Sequence, residues 1–381
     1  MIALLLVCLA FLVPATVASG YYFVLATIGW RQRTTSISVP HHRFTVLIPA
    51  HNEEKTIGDA IHSVFASDYP QELLRVLVVA DNCADRTAKT VQALGAECVE
   101  RFSTVDRGKG YALAFGMPIA LANGTDAVFV MDADCELSPN SLRIVDATLT
   151  RGAAVVQAAV IARNPDVQPT GFVAATGAQI ENAVAAGLDR LGFPVTLRGT
   201  GMVLSRKILE RFPWTAFGIT EDAEYSSQLR EAGVRVHFVL DAEVRSEAPP
   251  TSAALTLQRR RWRAALFTGG LSWFHRWLAS KPLVLLHLVL TVAVVAVSSA
   301  GLPTEVAVAG GGWLGVLFGV TAVVYLRAIR RGGLFVGGIT GVAHATFVVT
   351  RLACVTLAGI VQRGTIWERT PRVADVARSG A

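Results

Sequence analysis

Two aspartates one residue apart follow directly on an apolar stretch in the sequence FVMDADC, residues 129–135. A buried strand needs neither Asp132 nor Asp134, and a charge at the end of such a strand costs free energy unless something pairs with it. Carboxylates at this spacing can bind a hard divalent cation, Mg²⁺ or Mn²⁺, which then neutralises a diphosphate. A D-x-D pair is also common in ordinary turns, so the metal interpretation depends on the surrounding sequence.

The elements around this pair alternate between strand and helix patterns. Strands are predicted over 44–50, 75–81, 97–101 and 126–132, and helices over 54–66, 85–95 and 108–122. This alternation predicts an α/β fold with a mostly parallel sheet flanked by helices. The polar sequences PAHNEE, DNCADRT and DADC follow the first, second and fourth strands. Because ligands of such sheets bind at the carboxyl ends of the strands, the three clusters predict one site.

No standard phosphate-binding loop accounts for a diphosphate in this site. The segment after the first predicted strand has no glycine, whereas a dinucleotide-binding G-x-G-x-x-G begins with one. The sequence DRGKGYAL, residues 106–113, lacks the full G-x-x-x-x-G-K-[ST] pattern. Its Lys109 is therefore either a phosphate-binding residue or an ordinary solvated surface lysine.

Composition indicates contact with a membrane. The 381 residues are 52% hydrophobic and 17% charged, and the mean hydropathy is +0.45. Residues 251–381 carry 14 Lys and Arg against 3 Asp and Glu, although the whole chain has a net charge of only +6. The basic and aromatic residues of this tail are spread among apolar runs, which favours a lipid bilayer as partner over nucleic acid.

Three uncharged runs are long enough to span a bilayer. Residues 1–30 form an N-terminal anchor, for which a cleaved signal peptide is the alternative because ATVASG resembles a cleavage site. Residues 282–326 form a transmembrane hairpin with its turn at Pro303–Glu305. The basic residues flanking these runs place residues 31–263 in the cytoplasm, by the excess of Lys and Arg in cytoplasmic loops. The protein is accordingly expected in the cell (inner or plasma) membrane as a multi-pass protein.

Two further segments are expected at the membrane surface. Residues 264–281 carry Trp273, Phe274 and Trp277 at the spacing of an interfacial amphipathic helix. Residues 327–381 are interpreted as an interfacial or re-entrant segment followed by a basic cytoplasmic tail, and a fourth span over residues 332–350 is the alternative. The five cysteines show no paired spacing that would indicate a disulfide framework or a zinc site.

Seven motifs in order over residues 45–262 carry a resemblance to a known family. They are VLIPAHNEEKTI, VVADNCADRT, DRGKGYAL, FVMDADC, RGTGMVLSR, TEDAEYSSQLREAG and QRRRW. Together they resemble the family-two inverting glycosyltransferases with a GT-A fold. The similarity is greatest to the membrane-bound branch that makes hyaluronan, chitin, cellulose and poly-N-acetylglucosamine.

The resemblance implies roles for individual residues. It assigns nucleotide-sugar binding to Pro49, Ala50, Asn52, Glu53, Asp81, Lys109 and Asp132. Metal binding falls to Asp134 with Asp132, and acceptor binding to Gly199, Gly201, Gln258 and Trp262. Catalysis falls to Asp222 as the acceptor-activating base, with Glu221 and Arg261. Two other readings stay open: TED could be only a helix N-cap made by Thr220, and the arginines of QRRRW could bind anionic lipid.

The implied activity is inverting, metal-dependent transfer of a hexosyl group from a nucleotide sugar, a UDP-hexose or UDP-N-acetylhexosamine. The acceptor would be a growing polysaccharide or a lipid-linked glycan. With about three spans the chain is small for building a channel alone, which leaves room for export or auxiliary subunits. The alternatives are a single-transfer glycolipid synthase and a non-catalytic membrane scaffold, which the intact DAD, TED and QRRRW motifs disfavour.

Overall fold

The computed structural model describes residues 1–31, 39–163, 169–249, 251, 253–258, 278, 280–332, 343, 347–350, 352 and 354. These residues divide into two compact units. The sheet unit comprises residues 32–163 and 188–247, and the helical unit comprises residues 1–31, 164–187 and 248–381. The predicted 31–263 region thus contributes residues 31, 164–187 and 248–263 to the helical unit.

The sheet unit contains eight strands in the order β3-β2-β1-β4-β7-β6-β8-β5. The strands are β1 Phe44–Ala50, β2 Leu74–Asp81, β3 Glu97–Arg101, β4 Ala127–Val130, β5 Cys135–Leu137, β6 Val155–Ala162, β7 Met202–Ser205 and β8 Val236–Ser246. The four strands predicted from the sequence are neighbours and pair in parallel, which brings their carboxyl ends to one edge. Strand β7 then enters antiparallel between β4 and β6. The sequence prediction of an α/β fold with a mostly parallel sheet and flanking helices is confirmed.

Seven of the described helices lie between these strands in the sequence. They are α2 Ile57–Phe65, α3 Thr87–Ala93, α4 Lys109–Ala120, α5 Ser141–Thr150, α6 Pro169–Arg190, α7 Arg206–Arg211 and α8 Glu221–Glu231. Residues 169–187 of α6 belong to the helical unit. Alternate residues of β1 serve opposite faces: Val46 and Ile48 join the core beneath α2, whereas Leu47 faces α4. Helix α4 lies so close to the sheet that a Cβ on Gly116 would come within 2.8 Å of Leu47 and Val79.

A buried carboxylate fastens the segment before β1 to α5. Asp146 on α5 is 1% exposed and accepts hydrogen bonds from the backbone N–H groups of His41 and His42, at 2.9 and 3.2 Å. It also accepts a short hydrogen bond from the Tyr69 hydroxyl and pairs with His42 Nδ1 at 2.9 Å. Burial alone would raise the pKa of Asp146, but these hydrogen bonds outweigh it and hold the pKa below its ordinary value.

The helical unit contains α1 Ile2–Trp30, α9 Lys281–Ser299 and α10 Thr304–Arg331, together with residues 169–187 of α6. By length and composition alone, α1 and α10 could each cross a membrane. Helix α9 has a shorter apolar run, from Leu283 to Ser299. The predicted spans 1–30 and 306–326 therefore fall within long apolar helices, and the predicted 282–302 span ends three residues early.

Helices α1 and α6 touch through two glycines. A Cβ on Gly29 would lie 1.9 Å from the Ala183 carbonyl oxygen, and a Cβ on Gly187 would lie 2.2 Å from the Leu25 carbonyl oxygen. Both distances are far shorter than any real carbon–oxygen contact, so each backbone occupies the space that a side chain would need. We call this contact the glycine crossing.

Candidate active site

Two helices begin where the predicted catalytic residues lie. Helix α4 starts at Lys109, after Gly108 with φ 121°, and α8 starts at Glu221, so that Asp222 is its second residue. Thr220 occupies the N-cap position of α8 but makes no side-chain capping hydrogen bond. The interpretation of TED as a cap formed by the Thr220 hydroxyl is therefore wrong. The acidic side chains themselves lie at the positive end of the helix dipole, and Asp222 Oδ1 accepts a hydrogen bond from the Ala223 N–H at 2.8 Å.

Lys109 connects the two acidic motifs. Its Nζ lies 2.5 Å from Asp132 Oδ1 and 3.5 Å from Glu221 Oε1, and it donates to the Gly199 carbonyl oxygen at 2.7 Å. Its side chain is 25% exposed. Lys109 is therefore not a solvated surface lysine. Its ammonium is fixed between the DAD motif (residues 132–134), the TED motif (residues 220–222) and the RGTG segment (residues 198–201).

The aspartate pair offers a donor set for a divalent cation. One ligand atom from each of Asp132, Asp134 and Cys135 lies within 4.8 Å of the others. Two partly exposed carboxylates suit a hard cation such as Mg²⁺ or Mn²⁺. The Cys135 thiol is buried, and burial raises its pKa well above the ordinary value, so it is a neutral neighbour of the carboxylates. The residues fit the predicted metal through Asp132 and Asp134.

The RGTG segment shapes one wall of this site. Gly199 and Gly201 have φ of +76° and +69°, a conformation that favours glycine. A Cβ on Gly199 would lie 3.3 Å from Lys109 Nζ and 3.5 Å from Asp222 Oδ2. Between them, the Thr200 hydroxyl accepts a hydrogen bond from the Asp132 N–H at 3.1 Å.

A buried glutamine holds the same segment from behind. Gln157 on β6 is fully buried, donates to the Thr200 carbonyl oxygen at 2.9 Å and accepts from the Arg198 N–H at 2.9 Å. Because a buried amide is costly to leave unpaired, these bonds fix the backbone that touches Lys109.

Burial and charge set the protonation of the acidic pair. Burial raises the pKa of Asp222, and Asp132 raises it further, although Lys109 and the Ala223 N–H act in the opposite direction. The pKa of Glu221 is likewise raised, first by burial. Burial would lower the pKa of Lys109, but Asp132 and Glu221 outweigh it and keep the pKa above the ordinary lysine value. Lys109 is therefore charged, and Asp222 is a stronger base than an exposed aspartate.

The clusters after β1 and β2 bond to one another. The Asn52 side-chain oxygen accepts from the Ala84 N–H at 2.8 Å, and Asn52 and Asn82 both have positive φ, at 56° and 51°. The Asp81 carboxylate pairs with Arg101 at 2.6 Å, and both side chains are nearly buried. Polar side chains thus close the carboxyl ends of β1 and β2, as the sequence predicted.

Glu53 has a structural partner set at the same edge. Its N–H donates to the Thr87 hydroxyl at 2.8 Å, and its carboxylate accepts from the Thr56 hydroxyl at 2.7 Å. These bonds form a turn before the helix. Helix α2 therefore begins at Ile57 and not at residue 54, as the sequence had predicted.

Comparison with known proteins decides the family. Residues 40–265 match the family model described as "Glycosyltransferase like family 2". The chain belongs to this family.

Individual relatives agree with that assignment. The β-monoglucosyldiacylglycerol synthase of Synechocystis is 29% identical over 65% of this chain and 52% of its own length. The probable glycosyltransferase YdaM of Bacillus subtilis is 26% identical over 61% of this chain and 56% of its own length. The chain thus spans about half the length of these curated relatives. A mannosyltransferase of Pyrobaculum calidifontis has a similar fold, with a TM-score of 0.60, 18% identity and coverage of 94% and 98% of the two chains.

The structure brings six of the predicted site residues together around Lys109 and the aspartate pair. The residues that contact or adjoin the Lys109 ammonium are Asp132, Gly199, Glu221 and Asp222, and Asp134 adjoins Asp132. Pro49 and Ala50 end β1, and Ala50 is buried. Gly201 pairs by its backbone with Val130 and Ala158, at 2.9 and 2.8 Å, and so acts within the sheet.

The predicted residues of the QRRRW motif are described only in part. Gln258 ends the described helical segment 253–258 and belongs to the helical unit. Arg261 and Trp262 lie outside the described residues, as do residues 264–277 and most of 333–381.

Three residues of the candidate site escaped prediction from the sequence: Thr200, Gln157 and Arg101. The motif RGTGMVLSR contained Thr200, but nothing in it indicated that its hydroxyl accepts from the N–H of Asp132, 68 positions away. Arg101 ends a predicted strand, so its position beside the end of β2 was the available signal.

Proposed function

We propose that this family-two glycosyltransferase is a membrane-bound inverting enzyme that uses a nucleotide sugar and Mg²⁺ or Mn²⁺. One observation carries the proposal: the DAD and TED carboxylates approach the same ammonium, that of Lys109. The DAD carboxylates then face the diphosphate of the donor, and the TED carboxylates face the acceptor hydroxyl.

The donor half of the site uses Asp132, Asp134 and Lys109. A divalent metal held by the two aspartates would neutralise charge on the diphosphate and help it depart. Lys109 would donate to the same phosphate oxygens, and Arg261 would add a further charge-assisted hydrogen bond. Asn52 and Asp81, at the ends of β1 and β2, support binding of the nucleoside. UDP-hexoses and UDP-N-acetylhexosamines are the proposed donors.

The acceptor half of the site uses Asp222. Its carboxylate takes the proton of the acceptor hydroxyl as that oxygen forms its bond to the anomeric carbon, and the bond from that carbon to the phosphate oxygen breaks. Attack from the face opposite the departing diphosphate inverts the configuration. General-base catalysis of this kind contributes about 10²–10⁴-fold. The raised pKa of Asp222 favours this role, because a stronger base takes a proton more readily.

A lipid acceptor is favoured over a polymer. Two relatives have names that specify lipid acceptors: β-monoglucosyldiacylglycerol synthase, and 4,4'-diaponeurosporenoate glycosyltransferase of Staphylococcus aureus, the latter 32% identical over only 27% of this chain. Helices α1 and α10, each long and apolar enough to cross a bilayer, support a membrane-held acceptor. Synthesis of a growing polysaccharide, with export or auxiliary subunits, is the competing proposal and would use the same catalytic residues.

The test is transfer from a donor panel by the full-length protein in lipid nanodiscs. UDP-glucose, UDP-galactose, UDP-N-acetylglucosamine and GDP-mannose are each supplied with total membrane lipid and Mn²⁺. We expect one UDP-sugar to give a glycolipid that carries one sugar, with an anomeric configuration opposite to that of the donor. A ladder or high-mass polymer would select the polysaccharide proposal, and retention of configuration would contradict inversion. Absence of transfer from every donor would contradict the proposed activity.

A further inference from the structure

The Lys109 ammonium has a complete set of partners inside the site. An ammonium has three N–H donors, and Nζ has three oxygen neighbours: Asp132 Oδ1 at 2.5 Å, the Gly199 carbonyl oxygen at 2.7 Å and Glu221 Oε1 at 3.5 Å. Lys109 is thus the counterion of the carboxylate that is expected to bind metal.

The backbone around Lys109 is built to hold this arrangement. At the start of α4, a Cβ on Gly110 would lie 2.3 Å from the Ala216 carbonyl oxygen, so the helix start is pressed against that segment. Gly199 leaves open the space that the ammonium approaches, since a Cβ there would lie 3.3 Å from Nζ. The position of Lys109 is therefore specified from two sides by glycines.

This arrangement conflicts with metal binding to the same carboxylate. A divalent cation binds a carboxylate oxygen at about 2.0–2.1 Å for Mg²⁺. An ammonium 2.5 Å from Asp132 Oδ1 would place two cations side by side on one carboxylate. Like charges at such a distance repel strongly in a partly buried site. A carboxylate has two oxygens and can hold both cations, but their mutual repulsion weakens the binding of each, so the ammonium and the metal compete for Asp132.

We propose that Lys109 occupies the place of the metal on Asp132 until a nucleoside diphosphate draws it away. The diphosphate offers the ammonium new anionic partners, and Asp132 then becomes available to the metal together with Asp134. The protein therefore binds the metal weakly when no nucleotide is present and more tightly together with the nucleotide. This inference rests on the proposed function, because it concerns the same donor site.

The test is binding of Mn²⁺ to the full-length protein in detergent, with free Mn²⁺ followed by electron paramagnetic resonance. Titrations are made without nucleotide, with saturating UDP and with saturating GDP. For the wild type we expect Mn²⁺ affinity to rise about tenfold or more with the better nucleotide, within the usual range of coupling between sites. In Lys109→Met, Mn²⁺ should bind about tenfold more tightly than to wild type without nucleotide, and the gain on adding nucleotide should shrink to about threefold or less.

Controls separate replacement of the ammonium from a general change in charge or fold. Arg107→Met removes a positive charge from an exposed residue two positions earlier and should change Mn²⁺ affinity less than about twofold. Asp134→Ala should lose Mn²⁺ binding with and without nucleotide, which places the measured ion at the aspartate pair. Lys109→Gln is made in parallel, and each variant is used only if its thermal unfolding remains cooperative.

Several results would overturn the inference. They are an unchanged or weaker Mn²⁺ affinity in both folded Lys109 variants, an equal gain in Arg107→Met, and no binding of Mn²⁺ to any form. Its failure is distinct from failure of the proposed function, since transfer from the donor panel does not depend on which cation Asp132 holds at rest. Conversely, nucleotide-dependent Mn²⁺ binding without any transfer would support the inference and leave the activity contradicted.

Discussion

Asp134 is the residue on which the predicted metal depends most. Asp132 already pairs with Lys109, whereas Asp134 lies on the other side of Ala133 with its carboxylate part of the same donor set. Asp134→Ala should therefore reduce transfer below about 1% of wild type while the protein stays folded. Transfer rate with and without excess EDTA is the measurement, and Asp68→Ala, which alters an exposed aspartate, is the matched control. Full turnover in EDTA would remove the metal from the mechanism.

The second prediction concerns Asp222 as the base that accepts the proton of the acceptor hydroxyl. Asp222→Asn keeps the size of the side chain and its place at the start of α8 but removes the base. Transfer should fall at least about a hundredfold while nucleotide-sugar affinity changes little. Glu231→Gln, at the exposed end of the same helix, is the control and should transfer normally. Wild-type rates in Asp222→Asn would make the motif a helix start only.

The same residue fixes the sign of the pH dependence. Asp222 acts only when ionised, and burial raises its pKa, so kcat should fall as pH drops through that raised value. The acid limb of the kcat profile is therefore expected above about pH 4, the ordinary range of an aspartate. An acid limb at or below that range would show that burial does not tune this carboxylate.

At the scale of single residues, the sequence indicated which side chains could take part in chemistry. It did not indicate the residues from distant parts of the chain that hydrogen-bond or pair with them. DAD stood out because a charged pair directly after an apolar run is unusual, whereas TED was identified through the family resemblance. The partners that organise them come from far along the chain: the Gly199 carbonyl oxygen lies 90 positions from Lys109. Asp81 was predicted to bind nucleotide, yet no local pattern indicated that Arg101 would pair with it.

Among the elements, the Asp146 cluster predicts how the sheet unit responds to acid. Because the folded pKa of Asp146 is lowered, its contribution to stability is present above the unfolded pKa near 3.9 and is lost as pH falls through the lower folded value. Tyr69→Phe removes one hydrogen bond to this carboxylate and should cost about 1.5–3 kcal/mol at neutral pH. Thermal unfolding between pH 7 and pH 3 is the measurement. The difference from wild type should shrink below about pH 4, and a constant difference would exclude the charge as its source.

The glycine crossing gives an element-scale prediction with an internal control. Gly29→Leu would place a side chain where the Ala183 carbonyl oxygen already lies, so α1 must move from α6. We expect a loss of at least about 1–3 kcal/mol, the usual cost of overpacking. A Cβ on Gly20 in the same helix would meet nothing within 4 Å, so Gly20→Leu should unfold like wild type. Thermal unfolding in one detergent compares the two, and equal stability would mean that the helices do not touch.

The sequence specified some elements better than others. Strands β1 to β4 were predicted because short runs with apolar and β-branched residues alternate with helix patterns over residues 44–132. Strands β5 and β7 have only three and four residues, and their positions depend on pairing with β8, β4 and β6. Long-range pairing also explains why the antiparallel part of the sheet was not predicted.

For the whole molecule, the distribution of basic residues predicts the orientation of the chain. The turn Pro303–Glu305 should face outward and the sheet unit inward. In a background with Cys83, Cys98 and Cys354 changed to Ser, Glu305→Cys should react with a membrane-impermeant maleimide in right-side-out vesicles. Arg107→Cys should react only after the vesicles are opened. The reverse pattern would invert the topology, and labelling of both in sealed vesicles would exclude a membrane barrier between them.

The glycine crossing also bears on how the enzyme can be produced. Helix α6 lies inside residues 40–265, which match the family model. Its residues 183–187 pack against α1, and α1 lies outside that region. A shortened chain beginning at residue 39 would expose bare backbone and small side chains that no detergent molecule can fit closely. We expect such a trimmed catalytic fragment to aggregate, and residues 1–31 supplied as a separate peptide to restore its solubility. The family region and the folding unit are therefore different stretches of this chain.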